Sequence, residues 1–381
     1  MHEPSTNDGL LTGAKIQSDH SQTPARLMSL DALRGFDMAL ICGLGTVLNA
    51  VAVAISPEAG HWMEVQTEHP QWNGYTAWDQ IFPMFMFLVG VAIPFSLSKR
   101  VQRGESKWRL HWQVIRRGLV LVFLGLVYNG ILRFDFENFR YCSVLARIGL
   151  GYLFAGIIVL NTGLRGQIIS TVLLLVGYCT AMMYIPAGEF GAGDLTPGHT
   201  LSGFVDRMIV PGVMYKGDRD PEGLFSTIPA IATVLTGVLA GHWLRRGDVN
   251  GHLRAGLLLL SGVLAIGAAL VWHPWFPINK NLWTSSFVLL TSGISAVLLA
   301  AFFWVIDVCG FRRWAFFFVV IGMNAITIYL AGQFVDFGGV GNTIFGTARN
   351  RVHPVIYSAV PLLTAWLLLY VMYRAKIFLK V

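Results

Sequence analysis

Residues 68–90 read EHPQWNGYTAWDQIFPMFMFLVG. The second half is almost wholly apolar and begins a helix predicted over 78–98. The first half sets His69, Trp72, Asn73, Tyr75, Thr76 and Asp79 at its mouth. A helix that crosses about 30 Å of hydrocarbon needs about 20 apolar residues. Stretches of that kind recur at 32–54, 78–98, 114–133, 143–161, 168–187, 223–244, 255–272, 283–306, 315–336 and 353–373. The sequence therefore predicts an all-α polytopic integral membrane protein with about ten transmembrane helices. Residues 27–381 read as a single bundle domain.

Composition agrees. The 381 residues are 54% hydrophobic and 13% charged, against about 25% charged in soluble domains. Mean hydropathy is +0.58. Residues 1–26 are polar and hold no apolar core of a secretory signal. They are expected to form a disordered cytoplasmic tail. Cys42, Cys142, Cys179 and Cys309 have no metal-ligand spacing and read as small buried hydrophobes. The net charge of +7 does not imply a nucleic-acid partner, because the basic residues lie in loops and set orientation instead.

Lysines and arginines crowd one set of loops, as at Lys99–Arg117, Arg245–Arg246 and Arg312–Arg313. The other set holds Arg140, Arg207, Lys216, Arg219, Lys280, Arg349 and Arg351. The positive-inside rule then places both termini in the cytoplasm and residues 55–77, with His69, on the far side. The long loop 188–222 is a lid or a connection. Gly118, Gly125, Gly149 and Gly156 read as close helix contacts.

A charge inside the bilayer is costly and calls for a partner. Asp31, Arg34 and Asp37 are spaced to pair along one helix face; alternatively Arg34 meets an anionic ligand. Thr76-x-x-Asp79 is a capping box, and Asp79 also suits a role as the carboxylate that orients His69. Asp220-Pro221 reads as N-cap and N1 of the sixth span, and Glu222 is an acid at the level of His69. Asn279, Lys280 and Asn281 open the eighth span. Asn324 and Gln333 lie within the ninth, where interhelical hydrogen bonding is the plain reading. Arg147 calls for an acidic partner or an anionic ligand. His61, His199, His273 and His353 occupy outer positions like that of His69. No HExxH, GxSxG or P-loop occurs, and no metal is expected.

Six segments resemble the heparan-α-glucosaminide N-acetyltransferase family and its bacterial NagX-like (DUF5009) relatives: RLMSLDALRGFDM, HPQWNGYTAWDQIFPMFMFLVG, SVLARIGLGY, DPEGLFSTIPAIATVLTGVLAG, PINKNLW and IGMNAITIYLAGQ. The resemblance implies a transmembrane acyltransferase-type bundle in a bacterial inner membrane, possessing a catalytic His69 within His-x-x-Trp-Asn-Gly. It implies acetyl-CoA as donor, the amine of a glucosamine-type sugar as acceptor, and a homodimer. The animal members carry a further lumenal domain. A family Asn that assists catalysis falls at Gly45 here, with Asn49 one turn on.

On this reading His69 and Asp79 are catalytic. Trp72, Asn73, Glu222, Asn279, Lys280, Asn281, Asn324 and Gln333 bind the acceptor or the reacting group. Arg34, Arg147, Arg116, Arg117, Arg245 and Arg246 are candidates for the phosphates of CoA. An imidazole is suited to deprotonate an amine near neutral pH, or to carry the acetyl itself. The alternatives are an O-acetyltransferase of an envelope glycan or muropeptide, a sugar or solute transporter, and a membrane scaffold.

Overall fold

The structure, a computed structural model, describes residues 27–346 and 351–379. The expected tail at 1–26 lies outside them. The helices are α1 Met28–Ala39, α2 Gly45–Ile55, α3 Pro57–Thr67, α4 Ile81–Gln102, α5 Lys107–Tyr128, α6 Val144–Asn161, α7 Leu164–Tyr184, α8 Leu201–Ile209, α9 Thr227–Leu244, α10 Gly251–Trp272, α11 Ser285–Phe302, α12 Phe316–Gly322, α13 Ala325–Phe334, α14 Phe337–Phe345 and α15 Pro354–Arg374. Among the described residues, nine helical stretches are long and apolar enough to cross a membrane, and the bent pair α12–α13 makes ten. The chain is an all-α polytopic membrane protein.

Several boundaries depart from expectation. The third span starts at Lys107, where the Ser106 hydroxyl accepts from the Arg109 amide; Arg109, Arg116 and Arg117 thus ride on a helix. Arg133 leaves the span and sits in a short turn. The segment read as a plain loop before His69 contains α3, opened by Ser56 at its N-cap and Pro57 at N1. The ninth span is bent by 71° between α12 and α13. The α9 helix opens at Thr227 and not at Asp220-Pro221. The first span is interrupted at Leu40–Leu44, where Gly43 has φ 125°, a conformation glycine adopts without a Cβ penalty.

The helix α4 is deeply buried, enclosed by α1, α6, α9 and α11. Small residues bring backbones together in reciprocal pairs: Gly90 with Gly237 between α4 and α9, Gly118 with Gly149 between α5 and α6, and Gly35 with Gly322 between α1 and α12. A Cβ on Gly237 would overlap the carbonyl of Phe87, and one on Gly90 that of Val234. Dispersion contact and interhelical fit hold helices together where lipid tails are as apolar as the side chains. Of the cysteines, Cys142 is buried, Cys42 and Cys179 are half-buried, and Cys309 is exposed rather than buried as expected.

Candidate active site

His69 follows α3 and lies at the head of α4. Its Nδ1 is 2.6 Å from Asp79 Oδ1. The other carboxylate oxygen, Oδ2, accepts from the Thr76 amide at 3.2 Å, and the capping box is complete. The two readings of Asp79 therefore hold together, one on each oxygen. A fully buried carboxylate accepting from Nδ1–H fixes the imidazole tautomer and leaves Nε2 with its lone pair. Lys280 Nζ lies 3.2 Å from Asp79 Oδ1 and 3.2 Å from His69 Nε2. Burial pushes the Lys280 amine below its usual range, while the Asp79 carboxylate opposes that shift. His69, Asp79 and Lys280 thus form one cluster drawn from two distant loops.

That juxtaposition is held by the loop between α10 and α11. Asn279 is fully buried; its amide nitrogen donates to Asn73 Oδ1 at 3.0 Å, and its oxygen accepts from the Leu282 amide at 3.0 Å. The Gly74 amide donates to the Ile278 carbonyl at 2.9 Å. Asn73 and Asn279 therefore tie the His69 segment to the Lys280 segment. Their side chains are spent on that tie, which leaves Asn281 as the asparagine of this group that lines the cavity above.

Two cavities meet at His69 and Lys280. The first, of about 440 Å³, is polar and is lined by Trp72, Asp79, Arg140, Tyr215, Lys216, Arg219, Glu222 and Asn281 among others. The second, of about 210 Å³, descends between helices and is lined by Asp37, Met38, Trp78, Phe82, Phe85, Leu145, Ile148, Ile326 and Tyr329. The loop before α9 walls the polar cavity. Arg140 donates to both oxygens of Asp220 at 2.7 Å and to Glu222. Asp220 does not cap the sixth span; it accepts from the Glu222 and Tyr215 amides. Burial would raise Asp220, but its bonds with Arg140 hold it below the usual range, whereas burial leaves Glu222 above it despite Arg147 and Arg140. Trp72 donates to the Leu195 carbonyl, and Arg219 stacks on its ring at 4.9 Å. The loop 188–222 is thus a wall of the cavity.

Other candidates are placed elsewhere. Arg147 is fully buried and, among the described residues, meets no carboxylate at ion-pair distance; it donates to the Gly223 carbonyl and the Ser226 hydroxyl, under the Trp283 ring. Asn324 ties down the chain end, donating to the Ile377 carbonyl and accepting from the Leu379 amide. Gln333 lines a third cavity, of about 600 Å³ beside α14, which shares Met38, Ile41 and Tyr329 with the apolar one but does not include His69 or Lys280. Arg34 pairs with Asp31 at 3.6 Å, but Asp37 does not join them. Arg117 lies over Tyr152, Arg246 pairs with Asp248, and Arg116 is exposed. These four and Arg245 line neither cavity at His69. Gly45 leaves room for the Trp78 ring, which a Cβ would meet at 2.8 Å; Asn49 has a buried oxygen with no partner among the described residues and lines neither cavity.

Arg140, Tyr215, Lys216 and Arg219 were not singled out for the site from sequence. For Arg140, Lys216 and Arg219 the available signal was their rarity as cations on the far side; Tyr215 carried none. Their convergence with Glu222 depends on partners some 80 residues apart, which no local spacing encodes.

A domain described as a domain of unknown function, DUF5009, matches residues 26–131. The chain is 27% identical to human heparan-alpha-glucosaminide N-acetyltransferase over 419 residues, covering 95% of the chain and 61% of that relative. It is 25% identical to the mouse protein of the same name, covering 100% of the chain and 64% of the relative. The chain thus spans less than two thirds of the length of either. These matches support the family assignment read from the motifs.

Proposed function

We propose that the chain is a transmembrane acetyltransferase that moves acetyl from cytosolic acetyl-CoA to the amine of a glucosamine-type sugar on the opposite, periplasmic face of a bacterial inner membrane. One observation carries this reading: His69 and Lys280 line both the polar and the apolar cavity. A polar cavity of about 440 Å³ is of the size that holds a small ligand. The slender apolar one suits the acyl end of a thioester arm. The named relatives act on an amino sugar by the words of their name, which supports the same acceptor class here.

The chemistry follows from the positions. His69 Nε2 removes a proton from the sugar amine as its nitrogen attacks the thioester carbonyl carbon. Asp79 keeps Nδ1–H oriented and stabilises the imidazolium. The Lys280 ammonium supports the oxyanion that forms. When the C–S bond breaks, the thiolate of CoA takes the proton from the imidazolium. Because both cavities reach the same ring, donor and acceptor fit together, which favours direct transfer over an acetyl-histidine intermediate.

The test is acetyl transfer by the purified chain in liposomes loaded with acetyl-CoA, with glucosamine outside. The expected product is N-acetylglucosamine outside, lost by about 10²-fold or more in His69→Ala with folding retained. Retained turnover in His69→Ala removes the residue from the chemistry. Ester products on sugars without an amine favour the O-acetyltransferase reading, and sugar uptake without acetylation favours a transporter.

A further inference from the structure

We propose that Asp37 is a binding residue for the arm of a pantetheine-type acyl thioester, accepting a hydrogen bond from one of its amide N–H groups; this rests on the acyltransferase reading. Asp37 lies in α1, nine residues from Met28, which is roughly 13 Å along the helix at 1.5 Å per residue. Its relative exposure is 0%, and both carboxyl oxygens lack a partner among the described residues. The other acids nearby are satisfied: Asp31 pairs with Arg34, and Asp307 accepts from the Met28 and Ser29 amides. A buried polar group without a partner is costly and calls for a reason.

The reason lies in where Asp37 faces. It lines the apolar cavity, whose other ionisable groups include His69 and Lys280. The walls between are Met38, Ile81, Phe82, Phe85 and Ile148. A thioester presented to His69 must lay its arm along this cavity. The pantetheine arm is slender and mostly apolar, but it carries amides that such walls leave unmatched. Arm and cavity thus each bring a polar group that lacks a partner, and each supplies what the other needs.

The test is equilibrium binding of CoA to the full chain in lipid nanodiscs, wild type beside Asp37→Leu and Asp37→Asn. Leucine suits the apolar walls and removes the acceptor; asparagine keeps an acceptor oxygen at similar size. Thermal unfolding of each variant is read alongside. The expected result is CoA binding weakened about tenfold in Asp37→Leu and less in Asp37→Asn. A CoA analogue with the amide nearest the sulfur replaced by an ester binds wild type more weakly than CoA does, and Asp37→Leu does not discriminate between them. Equal CoA affinity in wild type and Asp37→Leu overturns the proposal, as does a wild type that binds no CoA. A sodium-dependent thermal shift lost in Asp37→Leu, with CoA binding unchanged, overturns it in favour of ion coupling. Acetyl transfer is scored separately: CoA binding that depends on Asp37, without acetylation of any amino sugar, supports the arm site and rejects the acceptor.

Discussion

Asp79 divides its carboxyl between a helix cap and an imidazole, and the sequence displayed both uses. Thr76-x-x-Asp79 and His69 lie within eleven residues, so local spacing sufficed. Lys280 was visible as a mouth cation, but its place against His69 depends on Asn73 meeting Asn279 across 206 residues. Replacing Lys280 with methionine should keep the bulk of the side chain and lower kcat by roughly 10²-fold if the ammonium serves the oxyanion; a change confined to KM for the sugar would show that it only binds. Asp206 gives a prediction about stability. Its carboxyl accepts from the Phe225 amide, and burial pushes its pKa up to about 6 from an ordinary value near 3.9. Between those values the folded chain keeps a proton that the unfolded chain has released. Stability should therefore fall as pH rises from about 4 to about 6. In Asp206→Asn, neutral throughout, the melting temperature should vary less over that window; an equally steep fall would assign it to another group.

At the level of elements, hydropathy revealed the spans because each must cover the same thickness of lipid. It did not reveal the break between α12 and α13, since residues 316–334 stay apolar through the bend and the signal is a lone Asn324. Nor did it reveal α3, which mixes polar and apolar residues and is mostly exposed, or the reach of α5 below the apolar stretch, where Ser106 opens the helix. Close approach leaves a testable mark. Gly237 faces the Phe87 carbonyl with no room for a Cβ, so Gly237→Val should separate α4 from α9. Overpacking of this sort costs roughly 1–3 kcal/mol, read as a lower melting temperature in detergent. Gly256 has open space around its position, and Gly256→Ala should melt within about 1 °C of wild type or above it. Equal losses at both sites would show that packing at Gly237 is not what matters.

For the molecule as a whole, the loops holding His69, Arg140, Glu222 and Lys280 are separated by pairs of spans, so parity puts them at one end of the bundle, where they meet in the structure. Which end faces the cytosol rests on the bias of Lys and Arg. A Cys placed at exposed Glu64 should react with an impermeant maleimide in intact cells, while Cys309 and a Cys at Arg103 should not. The reverse labelling would turn the proposed reaction around.

The meeting of two cavities at one imidazole has a consequence for traffic. In the proposed reaction neither the sugar nor the coenzyme needs to pass the ring, since only two carbons change hands there. Such a protein can export an acetyl group without exporting a molecule, and without the rocking cycle by which carriers expose one pocket to each side in turn.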